Sequence, residues 1–138
     1  MAQPEGRLQA ECVKWYRNEW YQDIHFLWAT FNEGANTGAK NSLGMTVGVS
    51  DLLKYEPKGR GLIGIEMKYP GESHTVSRVT NQAKWILEVC DCGGFCDDFE
   101  QFKSIIQGRP VWIDPRKVLA YLEKVKTGSF VWDRNKFI

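Results

Sequence analysis

Two runs with the alternation of β-strands, Val49 to Tyr55 and Leu62 to Tyr69, are separated by Glu56-Pro57-Lys58-Gly59-Arg60-Gly61, and this pairing constrains the chain more than any other feature. Pro and Gly favour a reversal of the backbone, so the two runs are expected to form a β-hairpin. Everything else in the fold has to be arranged around it.

Four amphipathic segments surround the hairpin. From Gly6 to about Tyr21, Leu8, Cys12, Val13, Trp15, Tyr16 and Trp20 recur at steps of three and four, the spacing of one helical face. Gln82, Trp85, Ile86 and Val89 form the stripe of a second helix that ends before Gly93-Gly94, after a polar loop. A third helix runs to Gln107, capped by Asp97 or Asp98, with Phe99, Phe102, Ile105 and Ile106 on its apolar face and Gly108 closing it. Asp114-Pro115 opens a fourth, whose buried stripe is Val118, Leu119, Leu122 and Val125. Short strands are expected at His25 to Thr30, Gly94 to Cys96 and Ser129 to Trp132, while Asn32 to Gly48, with its four glycines, suits a loop or a short irregular helix. This order predicts one α/β domain over residues 1–138, a mixed sheet flanked by helices.

The 138 residues are 43% hydrophobic and 25% charged, a globular make-up that needs no metal or disulfide framework to hold together. A bound metal would therefore serve chemistry. The N-terminal stretch has no basic region followed by an apolar one, and no run approaches the roughly 20 apolar residues of a membrane span, so a cytoplasmic protein without a membrane partner is expected. Cys12, Cys90, Cys92 and Cys96 read as thiols, since Cys90-x-Cys92-x₃-Cys96 lacks paired zinc spacing and a fourth ligand. A net charge of +1 does not decide for or against nucleic acid. Local cations matter more: Lys54, Lys58 and Arg60 cluster near the hairpin turn and Arg109, Arg116, Lys117, Lys124 and Lys126 enrich the last third.

In Leu62-Ile63-Gly64-Ile65-Glu66-Met67-Lys68, alternation puts Ile63, Ile65 and Met67 on one face of the strand and Glu66 and Lys68 together on the other, about 6.6 to 6.8 Å apart. Asp51, on the preceding strand of the hairpin, can bring a second carboxylate alongside. Hard oxygen ligands of this kind suit Mg²⁺ or Mn²⁺, with the backbone carbonyl of Met67 a further ligand and Lys68 able to orient or deprotonate an attacking water. His74, in Glu72-Ser73-His74-Thr75, can contact a phosphate or assist proton transfer.

Gly48-Val49-Ser50-Asp51-Leu52-Leu53, Ile65-Glu66-Met67-Lys68 and Gln82-Ala83-Lys84-Trp85 resemble, in order, the G-V-P-D-L, (I/V)-E-x-K and Q-x-x-W blocks of VRR-NUC domains, which are PD-(D/E)xK nucleases. The resemblance extends to Phe31-Asn32-Glu33-Gly34, to Glu5 with Leu8-Gln9, and to Gly93-Gly94-Phe95, covering roughly residues 5 to 107 and leaving 108–138 as an extension. It implies a restriction-endonuclease-like fold, Asp51 and Glu66 as metal ligands, Lys68 as the catalytic lysine and Gln82 in the supporting helix beside them. It also implies Glu5 as the first-helix acid; Glu5 and Gln9 share a helical face, with Glu11 on the far side. Ser50 stands where the family usually has the proline of its PD dipeptide, which leaves this loop freer, and the stretch from Lys68 to Gln82 is longer than is common.

The resemblance thus implies a Mg²⁺- or Mn²⁺-dependent DNA endonuclease of the stand-alone phage type, in a bacterial or phage-infected cytoplasm, acting on branched DNA in the manner of a Holliday junction resolvase. Lys54, Lys58, Arg60 and His74 are its candidate nucleic-acid contacts. Paired cutting would call for a C₂ homodimer, with the C-terminal helix and strand as candidate interface. The alternatives are a nuclease-like module that binds DNA without cutting it and a protein-interaction domain on the same scaffold.

Overall fold

The hairpin is present, as strands β2 (Leu52–Glu56) and β3 (Gly61–Met67), with Leu52 opposite Ile65 and Glu56 opposite Gly61. A computed structural model describes residues 4–30 and 48–138; Phe31-Asn32-Glu33-Gly34, and the expected loop up to residue 47, lie outside the described residues. Strand β1 (Leu27–Ala29) pairs antiparallel with β2, and β5 (Cys92–Cys96) pairs parallel with β3, giving one mixed sheet in the order β1-β2-β3-β5. Strands β4 (Ser73–Thr75) and β6 (Ser129–Val131) form a separate antiparallel ribbon. The helices are α1 (Pro4–Glu19), α2 (Val76–Val89), α3 (Phe99–Ile106) and α4 (Pro115–Val125), with 3₁₀ turns at Tyr21–Phe26 and Arg134–Phe137. The expected α/β class, a mixed sheet flanked by helices, is what the chain forms.

Alternation along β3 divides the interior in two. Ile63, Ile65 and Met67 are fully buried beneath α1 and α3, against Leu8, Cys12, Tyr16 and Phe102. At about 1.5–3 kcal/mol for each large apolar side chain, this layer is the main attachment of α1 to the sheet. The opposite face carries α2 and α4, where Val79, Ala83, Val118 and Leu122 enclose Phe95 and Trp132. Because β3 and β5 are parallel, their connection has to cross over, and α2 is that crossover. The two strands approach closely at Gly64 opposite Gly93, where φ at Gly93 is +132° and a Cβ would stand 2.0 Å from the Gly64 carbonyl oxygen. The open edge of β5 is closed by Ile113, which exchanges two backbone hydrogen bonds with Phe95.

Several boundaries differ from expectation. α1 ends at Glu19, and the 3₁₀ turn takes up residues expected to continue it and to open the first strand. α2 starts at Val76, six residues before Gln82, so the expected polar loop holds β4 and the first turns of this helix. Val76, Val79, Ala83 and Ile86 are its buried stripe, interleaved with Ser77, Arg78, Thr80 and Asn81, whose polarity disguises the period. Asp98 caps α3, accepting from the Gln101 amide at 2.9 Å, while Asp97 is buried and accepts from Trp132 Nε1 and the Arg134 guanidinium. The expected cap at Asp114 holds, with Pro115 opening α4.

The apolar stripe of α4, part of the candidate dimer interface, belongs to the chain's own core. Val118 is fully buried and Leu122 nearly so, against α2, Phe130, Trp132 and Phe137 of the same chain, with Leu119 and Val125 packed at the margin. An apolar stripe already covered by its own fold cannot also face a second copy. Trp132→Ala should therefore cost about 3–5 kcal/mol, because it opens a cavity and removes a donor from buried Asp97. Removal of residues from Asp114 onward should unfold the chain rather than leave a folded monomer. Urea unfolding followed by circular dichroism measures both.

Candidate metal centre

Glu5, in the first turn of α1, meets Asp51 and Glu66 beyond the end of the sheet, and carboxylate oxygens of all three lie within 4.8 Å of one another. Three separate elements thus deliver one acid each. Glu66 is the next-to-last residue of β3, on the α2 face and in register with Phe95. Lys68 follows on the same face, its Nζ 3.5 Å from Glu66 Oε2 and 6.0 Å from the Phe95 ring centre. Both side chains of this pair are almost wholly enclosed, at 1% and 2% exposure, while Glu5 and Asp51 are half-buried and form the mouth.

Asp51 lies just ahead of β2, and its placement is over-determined. Its Oδ2 accepts from the Met67 amide at 2.9 Å. Its own carbonyl accepts from the Thr30 amide at 2.9 Å, and the Thr30 hydroxyl donates to the Ser50 carbonyl. The rigidity that a proline ring would confer at position 50 is supplied from the end of β1 instead. Ser50 is fully buried, with its Oγ beside Gly64. The N–H and C=O of one strand residue point to the same side, so the Met67 carbonyl is turned toward Asp51 as well.

Gln82 is buried and its Oε1 has no hydrogen-bond partner. Ile86 of α2 packs over Gly64. Gln82 lies one helical turn back from Ile86, about 6 Å, and Glu66 two residues forward from Gly64 along β3, about 6.6 Å. His74, in β4, reaches the centre from the ribbon, with Nε2 3.9 Å from Glu5 Oε2. Two residues escaped the sequence reading. Arg78 is exposed at the start of α2 and acts by charge on Glu5 and His74, and Glu72 acts on Glu5. Arg78 lies four residues before Gln82 on the same helical face, a signal hidden by starting the helix at Gln82.

Electrostatics favour a bound proton or cation here. Burial, then the charge of Asp51, push the Glu66 carboxyl well above its ordinary range against the pull of Lys68. Burial raises Glu5 to about 7, opposed by Lys68 and reinforced by Asp51 and Glu72. Burial, with Lys68 and Arg78, lowers His74 to about 4. Glu66 Oε1 is buried without a hydrogen bond, and an all-oxygen set with an orphaned acceptor fits Mg²⁺ or Mn²⁺.

The other expected contacts are elsewhere. Lys54 is 5% exposed, enclosed near the Tyr16 ring and 3.6 Å from Glu56, so it is not available to nucleic acid. Arg60 grips Glu56 through two 3.0 Å bonds and donates to the Ile105 carbonyl, which closes the end of α3. These bonds hold Glu56 down at about 2. Lys58 is exposed on the hairpin turn, and the length of β2, about 13 Å, separates it from Asp51. All four cysteines are free thiols, those of Cys12, Cys90, Cys92 and Cys96 raised chiefly by burial. Among the described residues no helix is long and apolar enough to cross a membrane. Compared with known protein families, curated proteins and solved structures, the chain matches none.

A pH prediction follows from the raised carboxyls. Glu5 titrates near 7 folded against an ordinary 4.5, so the folded state holds the extra proton and stability falls as pH rises between these values. His74, at about 4 against 6.5, acts oppositely, but only below 6.5. Between pH 6.5 and 8 the carboxyls act alone, so the melting temperature in EDTA should fall across that interval. Millimolar Mg²⁺ or Mn²⁺ should reverse the fall, because the cation replaces the proton. A melting temperature indifferent to both pH and cation would mean the acids do not interact as described.

Proposed function

We propose that the protein is a Mg²⁺- or Mn²⁺-dependent endodeoxyribonuclease of the VRR-NUC kind that hydrolyses phosphodiester bonds in branched DNA. The observation that carries this reading is the convergence of Glu5, Asp51 and Glu66 on one point with Lys68 alongside. The sequence blocks around Asp51, Glu66 and Gln82 support it independently of that geometry.

Glu5, Asp51, Glu66 and the Met67 carbonyl would hold the cation. A bound cation supplies Lewis-acid stabilisation of charge on the phosphate and leaving oxygens, and lowers the pKa of attached water. Lys68 positions the attacking water from the Glu66 face, and its enclosure keeps the ammonium from swinging into solvent. Gln82 offers its free amide oxygen to that water or to Lys68. Arg78, exposed and near enough to act by charge on Glu5, would bind a substrate phosphate. Paired cutting of a junction would require a two-fold homodimer whose interface lies away from the α4 stripe.

Plasmid nicking with and without Mg²⁺ tests the activity, and a panel of labelled linear and branched DNAs tests the substrate. Asp51→Asn and Glu66→Gln should abolish cleavage with the fold retained, as each removes a ligand charge and keeps the shape. Lys68→Ala should slow the chemical step by about 10²–10⁴ with a far smaller change in cation affinity. Near wild-type nicking by either carboxylate variant would remove that residue from the centre. DNA binding without cleavage by the wild type would favour a binding module, and neither activity would favour a protein-interaction domain.

A further inference from the structure

Alternation across the sheet leaves one part of it bare. Trp28 of β1 stands opposite Leu53 of β2, which stands opposite Gly64 of β3, and Tyr55 stands opposite Leu62, so Trp28 and Tyr55 share the face of β3 that carries Glu66. α2 crosses that face over β3 and β5, with Ile86 and Cys90 against Gly64 and with Val79 and Ala83 in the core around Phe95. Toward the β1 edge the face is uncovered among the described residues. Trp28 is 41% exposed, Tyr55 43%, and Phe26, whose ring centre lies 6.5 Å from that of Tyr55, 37%. Trp28 is two strands across from β3 and two residues short of Glu66, about 12 Å between Cα atoms. Cations stand at both ends of this path: Lys58 is exposed on the turn after β2, and Arg78 is exposed near enough to act on Glu5.

We propose that this face binds an unpaired stretch of the DNA beside the cut, with bases stacked on Trp28 and Tyr55 and a backbone phosphate at Lys58. The inference rests on the DNA-cleaving reading above and gives its substrate a form: a strand that is single on the β1 side of the acids. An unpaired nucleotide offers a π face and a charged backbone, and the patch offers aromatic rings followed by a cation. A duplex keeps the faces of its bases inside its own stack and gains nothing from such rings. A second copy of the chain is the poorer occupant. Three aromatic side chains of roughly 150–250 Å² each, at these exposures, offer roughly 200–300 Å² together, far below the about 800 Å² that each partner contributes to a stable interface.

Fluorescence anisotropy of labelled oligothymidine and of a blunt duplex, with the full chain in EDTA so that nothing is cut, tests this apart from activity. Trp28→Ala and Tyr55→Ala should each weaken oligothymidine binding by about 5- to 150-fold, the loss of one stacked base, and leave duplex binding unchanged. Trp28→Phe should restore most of the affinity, because a ring is kept. Lys58→Ala, on an exposed turn where no fold is at stake, should lower the salt slope of oligothymidine binding by about 0.7, one phosphate contact. Equal oligothymidine affinity in the wild type and the alanine variants, or duplex binding weakened as much as oligothymidine binding, overturns the inference. So does light scattering in which Trp28→Ala turns a dimer into a monomer. Plasmid nicking by a protein that fails these tests leaves the nuclease reading standing, whereas stacking on Trp28 in a protein that cuts no DNA supports the inference and removes only cleavage.

Discussion

Carboxylates brought this close repel one another, by about 1 kcal/mol per pair at 4 Å in water and about 4 kcal/mol at the effective dielectric of a protein surface. The described part of the molecule is organised around holding Glu5, Asp51 and Glu66 against that repulsion. Each acid is anchored by different means. Glu5 is fixed through the apolar face of α1, Asp51 by backbone hydrogen bonds from Thr30 and Met67, and Glu66 by its place inside a sheet covered on both sides. Lys68 offsets part of the charge, while burial, reinforced by the charge of Asp51, raises the Glu5 and Glu66 carboxyls so that they keep a proton where a cation would fit. A site under such strain stays assembled only where its scaffold cannot relax, which accounts for the enclosure of Glu66, Lys68 and Gln82.

Much of this was legible in the sequence because the carriers were local. The hairpin announced itself through Pro57 and its neighbouring glycines, the caps of α3 and α4 through Asp98 and Asp114, and the shared face of Glu66 and Lys68 through strand alternation. What escaped depends on distant partners. Ser73–Thr75 has no strand pattern and becomes β4 only because β6 lies beside it, and Lys54 reads as a surface cation until α1 is laid over it. The early turns of α2 look like a loop because polar residues separate Val76 from Val79 and Ala83. Placing the helix start late also hid Arg78.

The C-terminal segment is the part whose importance sequence resemblance understates. It lies beyond the blocks that resemble VRR-NUC domains, yet Trp132 is fully buried, bonds Asp97 and touches the rings of Phe95 and His74. Phe95 in turn stands beside Glu66 in the sheet. The second core thus lies behind Glu66, with Phe95 and His74 as the side chains that both Trp132 and the neighbourhood of the acids share.

The bonds between Thr30 and the Ser50-Asp51 backbone have a consequence for how such a chain can vary. They join two points twenty residues apart in sequence and fix the backbone that carries the carboxylate. Ties between points far apart in sequence are favoured by the slow growth of closure entropy, about 0.6 kcal/mol for each doubling of the separation. The Asp51 carboxylate is therefore held from the end of β1 and the end of β3 together, so that a change at Thr30, which carries no charge and is no candidate ligand, would be felt at the acids.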